Sequence, residues 1–140
     1  MIHLFGASQE EIELQLCRLY TSQSDSWVLE TNSDSILYIR IYEDQEFETD
    51  HDPEELERLL ESLGGKPDVS IIADVSGRHG GDQEVKSFVN SMLSSFKGVA
   101  RDEYTYHSWT LEEINSGTLI QGHPFFDYRG WYESDDHWRC

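Results

Sequence analysis

The stretch VSIIADVSGRHGGDQEVKSFVNSMLSSF, residues 69–96, holds a strand, a loop and a helix in that order. Residues 69–75 are a short apolar run in which Ile71 and Ile72 are adjacent, so both faces of an extended chain there are apolar. That predicts an interior strand. Gly77, Gly80 and Gly81 mark residues 76–81 as the loop. From Asp82 onward, Val85, Phe88, Val89, Met92 and Phe96 recur at helical spacing and line one side of a helix. A buried strand feeding a helix able to cover a sheet predicts α/β connectivity.

Working outward toward the N-terminus, Gly64 and Gly65 stop a helix that Asp52 caps. Pro53 fits its first turn, Glu55 sits where it can reach back, and Leu56, Leu59, Leu60 and Leu63 form its buried stripe. Before it lies DQEFETDHD, residues 44–52, acidic and without clear periodicity. WVLET (27–31) and SILYIRIYE (35–43) are separated by Asn32, Ser33 and Asp34 and read as the arms of a β-hairpin. Alternation puts Leu37, Ile39 and Ile41 on the core face and Tyr38, Arg40 and Tyr42 on the other. Ser8 and Glu11 form a capping-box pattern ahead of Ile12, Leu16 and Leu19, which predicts a helix over residues 9–20. The polar residues 21–26 end it.

Toward the C-terminus, DEYTYHSW (102–109) alternates like a strand. Thr110 and Glu113 repeat the capping-box pattern for a short helix ended by Gly117. Residues 122–140, GHPFFDYRGWYESDDHWRC, are aromatic and irregular and predict an arm packed on the domain. With no internal repeat and no linker, the expected organisation is a single compact α/β domain over residues 1–140, α+β-like in detail. It has a mixed four- to five-stranded sheet, helices packed on it and an aromatic C-terminal arm.

Charge narrows the partners. The 140 residues carry Asp+Glu 28 against Lys+Arg 10, a net charge of −18. Such a surface repels nucleic-acid phosphates and anionic lipid, and attracts basic proteins and cations. Tyr38, Tyr42, Tyr104 and Tyr106 could stack on bases, but the carboxylates overwhelm the few cations that phosphate binding needs. Neither nucleic acid nor membrane is an expected partner. No stretch of 18 apolar residues and no export signal is present, so the expected location is cytoplasmic. Cys17 and Cys140 make neither a disulfide framework nor a CxxC centre.

The chemical motifs are sparse. The glycine loop with Arg78 and His79 could cradle an anion, but it matches neither GxGxxG nor the P-loop, and Asp74, Asp82 and Glu84 oppose one. His79, His107 and His123, with Asp74 or Asp127, could converge for metal binding or acid–base work. HExxH is absent, and residues 44–52 lack the glycine and closing glutamate of an EF-hand loop, so neither a metal nor a cofactor is expected. No GxSxG elbow occurs, Cys17 reads as a buried structural thiol, and Glu112 with Glu113 reads as the first turn of a helix. The C-terminal arm differs, because Phe125, Phe126, Tyr128, Trp131, Tyr132 and Trp138 are interleaved with Asp127, Glu133, Asp135 and Asp136. Aromatic anchors among selecting carboxylates suit recognition of a basic protein; alternatively the rings finish the core.

The expectation is a non-catalytic acidic protein that binds and neutralises a basic protein partner such as a toxin or nuclease, in the manner of an immunity protein or antitoxin. Its partner-binding residues would be Asp44, Glu46, Glu48, Asp50, Trp131, Glu133, Asp135, Asp136 and Trp138. One alternative is a small enzyme or ligand-binding domain using Asp74, Arg78, His79 and His107 at the end of a strand. Another is a structural or regulatory adaptor that forms a homodimer through the aromatic arm.

Overall fold

Alternation along the sequence builds a sheet that is apolar on both faces. The computed structural model describes residues 1–23, 26–31, 34–42, 52–75, 82–102, 104–105, 107–127 and 130. Its strands are β1 (Ile2–Leu4), β2 (Thr21–Gln23), β3 (Ser26–Thr31), β4 (Asp34–Tyr42), β5 (Val69–Val75) and β6 (Gly98–Ala100). They form one sheet in the order β2-β3-β4-β5-β1-β6. Every pairing is antiparallel. Among the described residues four helices cover it: α1 (Gln9–Leu19), α2 (Pro53–Leu63), α3 (Asp82–Ser95) and α4 (Leu111–Ser116).

One face is the main core. Ile41 lies opposite Ile71, Ile71 opposite Ile2, and Ile2 opposite Ala100, a row across four strands. Ile12 and Leu16 of α1 and Val85, Phe88, Val89 and Met92 of α3 pack on this face with Trp27, Leu37, Ile39 and Trp109, and Leu111 and Ile114 of α4 join at its margin. Ile72, one residue along from Ile71, turns to the opposite face. There α2 sets Leu56, Leu59, Leu60 and Leu63 against Tyr42, Met1, Phe5, Ile72 and Val99. The row under α2 is Tyr42, Ser70, His3 and Val99. Its polar members His3 and Ser70 are buried, with His3 Nδ1 lying 2.8 Å from Ser70 Oγ. A buried pair of polar groups is tolerated because they meet.

The helix ends follow the capping chemistry. The Ser8 hydroxyl accepts the Glu11 amide at 3.2 Å, and Asp52 accepts the Glu55 amide at 2.8 Å. At α4 the capping box is complete in both directions. Gly64 ends α2 and Gly117 ends α4 in the left-handed conformation, at φ 77° and 74°, where a side chain is strained.

The α/β class stands, and the sheet differs from the expected mixed four- to five-stranded one in strand count and direction. It has six strands because β1, β2 and β6, three residues each, are too short to show a period. It is antiparallel because α2 joins the neighbours β4 and β5 in opposite directions, and the connections through α1 and α3 do not join neighbours. The strands β5 and β6, connected through α3, run the same way but have β1 inserted between them, and β1 and β2, connected through α1, are separated by three strands. Among the described residues of the expected strand over 102–109, pairing is limited to a bridge between Trp109 and Ala100. Asp102 Oδ1 accepts the amides of Tyr104 at 3.2 Å and Thr105 at 3.3 Å, a side-chain turn that takes the backbone out of the ladder.

Gly98 is the close-approach position. It pairs with Leu4, and a Cβ there would strike the His3 carbonyl oxygen and lie 2.8 Å from Leu4 Cδ2. Gly98→Ala is therefore expected to destabilise the protein by about 1–3 kcal/mol. A lowered urea midpoint at unchanged slope is the readout, and an unmoved midpoint would show that β1 and β6 are not held this close.

Candidate functional site

The expected partner-binding residues Asp44, Glu46, Glu48, Asp50, Trp131, Glu133, Asp135, Asp136 and Trp138 lie outside the described residues, as do Arg78 and His79 of the alternative ligand site. Asp74 is exposed near the end of β5, opposite Tyr38 of β4. His107 belongs to the segment beside β6, with β1 and β6 between it and β5. Cys17, expected buried, is exposed on α1, where its sulfur accepts the Trp27 indole N–H at 3.4 Å.

The aromatic arm begins inside the protein. Trp109 and Phe125 are buried and meet edge to face at 5.7 Å, Phe125 continues to Phe126 at 6.2 Å, and Phe126 meets Tyr104 at 6.0 Å. These rings finish the core beside β6, and the Phe126 amide donates to Asp102 Oδ2 at 2.9 Å, fastening the arm to the chain just after that strand. The reading that the arm completes the core holds for Phe125 and Phe126.

Two histidine–carboxylate pairs stand at this wall. His107 packs edge-on to Trp109 at 4.9 Å, and its Nε2 lies 3.1 Å from both oxygens of Glu113. Glu113 Oε1 also accepts the Thr110 amide at 3.0 Å and the Thr110 hydroxyl at 3.3 Å. Burial raises the Glu113 pKa, but the bonds from Thr110 and His107 outweigh it and hold the carboxyl below its ordinary 4.5. The second pair joins His123 Nδ1 to Asp127 Oδ2 at 2.9 Å, while Asp127 Oδ1 accepts the Gly130 amide at 3.1 Å. The His123 bond is the largest influence on Asp127. With the Gly130 amide and the charges of His123 and Lys86, it pulls the carboxyl below its ordinary 3.8 against the effect of burial. Carboxylates this well supplied with donors are poor proton acceptors; the first pair closes the turn into α4, and the second joins two residues of the arm itself. Among the described residues, no group of three or more His, Cys, Asp or Glu side chains is arranged to hold a metal ion.

Sequence reasoning identified Glu113 as a cap and placed Asp127 near a histidine, but it missed Asp102, which joins three amides of two separate segments. The link from Asp102 to the Phe126 amide, 24 residues away, is the one with no local signal.

The carboxylates with no internal task lie elsewhere. On the outer side of α2, Glu54, Glu55, Glu57 and Glu61 are exposed around a single cation, Arg58. The acidic sequence 43–50 runs directly into this helix.

Fold and site thus define an α/β domain with a six-stranded antiparallel sheet between helices, an aromatic cluster beside one edge and an acidic helix on one face. No family model matches the chain, and no curated protein or solved structure matches it significantly. Among the described residues, no helix is long and apolar enough to cross a membrane.

The lowered Asp127 pKa makes a pH test. The stability gained from its ionised form is present above 3.8 and is lost as the pH falls through the depressed folded-state value. Asp127→Asn should therefore melt below wild type at pH 5, by about 0.2–1 kcal/mol as for partly exposed ion pairs, with the gap closing at lower pH. A gap that persists at pH 2 would show that Asp127 acts through packing alone.

Proposed function

We propose that the protein is a non-catalytic, cytoplasmic acidic domain that binds and neutralises a basic protein, in the manner of an immunity protein or antitoxin. The carrying observation is the surplus of carboxylates over cations, −18 overall, with the outer side of α2 as its described portion. The internal satisfaction of the two histidine pairs supports a binding role over acid–base chemistry, since Glu113 is committed to the start of α4 and Asp127 to the course of the arm. The acidic run with Asp44, Glu46, Glu48 and Asp50 precedes α2 in the sequence and extends the same charge. The tail residues Trp131, Glu133, Asp135, Asp136 and Trp138 add anchors and carboxylates in alternation.

In this reading the carboxylates steer the encounter and the buried contact excludes solvent from the partner's basic site. Steering is screened beyond about 8–10 Å at physiological salt, so its signature is a salt-dependent association rate. Captured on the immobilised protein at low and moderate salt, a stoichiometric basic protein is expected. Its association at low salt should slow about tenfold or more for the variant Glu57→Lys/Glu61→Lys, with little change in thermal stability because both side chains are exposed. Absence of a specific basic protein in the eluate, or an association rate that ignores the charge reversal, would count against the proposal.

A further inference from the structure

We infer that Tyr38 and Asp74 form a recognition shelf on the sheet for an arginine side chain of a basic partner; the inference rests on the basic-partner reading above and locates a contact that the charge alone does not. The register sets the shelf. Thr21 pairs with Val28, Val28 with Tyr38, and Tyr38 with Asp74, so these four side chains form one row across β2, β3, β4 and β5, buried at Val28 and open at Tyr38 and Asp74. Tyr38 is four residues from Tyr42 along β4, and Asp74 four from Ser70 along β5, so the row lies on the face that α2 occupies. The helix rests on the rows of Tyr42 and Ile72 and stops short of this one. Tyr38 is left 47% exposed and Asp74 is exposed.

An exposed tyrosine beside an exposed carboxylate is a specific pairing. Side chains directly opposite on antiparallel strands have Cβ atoms about 4.5–5.5 Å apart. A planar guanidinium can therefore lie against the Tyr38 ring while its N–H groups reach the Asp74 carboxylate. Arginine suits this better than lysine, because it stacks on aromatic faces and offers donors in a fork. The same contact already exists one step along the strand, where the Arg40 guanidinium carbon lies 5.8 Å from the centroid of Tyr42. Asp74 has no ion pair among the described residues, so its charge is available to an incoming cation. The exposed carboxylates of α2 stand on the same side of the sheet and add a field that favours a cation there.

The other exposed large apolar side chains among the described residues are Leu14 and Leu19 of α1 and Leu119. None of them belongs to the sheet or has a carboxylate placed opposite by strand register. Tyr38 is thus the aromatic anchor that the fold itself presents next to a charge.

The experiment titrates the full chain with a hexa-arginine peptide and, separately, a hexa-lysine peptide at low salt, following amide shifts by NMR and affinity by calorimetry. The wild type should bind hexa-arginine with shifts centred on Tyr38 and Asp74. Tyr38→Ala and Asp74→Asn should each weaken it about two- to fivefold, the worth of one exposed cation–π contact, while Tyr38→Phe retains wild-type affinity and hexa-lysine responds less to Tyr38→Ala. Melting curves would establish that the variants remain folded. Binding that Tyr38→Ala and Asp74→Asn leave unchanged but Glu57→Lys/Glu61→Lys weakens would overturn the shelf and leave the basic-partner reading standing. Failure of both peptides to bind the wild type would overturn both.

Discussion

Three residues in the middle of the sheet constrain everything around them. Strand β1 is Ile2–Leu4, and it is hydrogen-bonded on one side to β5 and on the other to β6. Its side chains are buried on both faces, Ile2 and Leu4 toward α1 and α3, and His3 toward α2. Such a strand has no exposed edge and no solvated face, so each side chain must find a partner inside. The histidine finds Ser70, and the tight spacing to β6 is met by a glycine at position 98. Because β1 lies between β5 and β6, the unit of β5, α3 and β6 can close around it, which joins the two ends of the chain's connectivity into one sheet.

That arrangement explains which parts of the fold were legible. Helices α1, α2 and α4 announced themselves through Ser8, Asp52 and Thr110 at their starts, and α2 and α4 through Gly64 and Gly117 at their ends. Capping is local chemistry and survives without tertiary context. The hairpin of β3 and β4 was legible for the same reason, since alternation over nine residues of β4 leaves no other register. Sheet direction was not legible, because a crossover fixes the relative direction of two strands but not what is inserted between them. β1 escaped because its alternation, Ile2-His3-Leu4, spans three residues and contains a histidine. Its signal exists only when β5 and β6 supply both neighbours.

The segment at 102–109 misled for the opposite reason. Its alternation is real, but Asp102 competes for the backbone amides of Tyr104 and Thr105, and a side chain that satisfies those amides removes the need for a ladder. The aromatic cluster was visible as composition, whereas its attachment through Asp102 to Phe126 depended on a contact between separate segments. Sequence reading found the ingredients of the arm and missed the joint.

The carboxylates separate into two groups on this basis. Asp52 caps α2, Glu113 closes the box at α4, Asp102 turns the chain and ties Phe126, and Asp127 holds His123; removing any of these would leave identifiable donors without partners. The side chains of Glu54, Glu57 and Glu61 make no hydrogen bond or ion pair among the described residues, and mutual repulsion makes such a surface a cost to the folded state. The helix dipole favours Glu54 in the first turn, but it gives no reason for Glu57 and Glu61 farther along the same helix, beside the sheet row that exposes Tyr38 and Asp74. A basic surface brought against that side would relieve the repulsion and supply the missing counter-charges, with an aromatic ring already exposed in the neighbouring strand row to hold it.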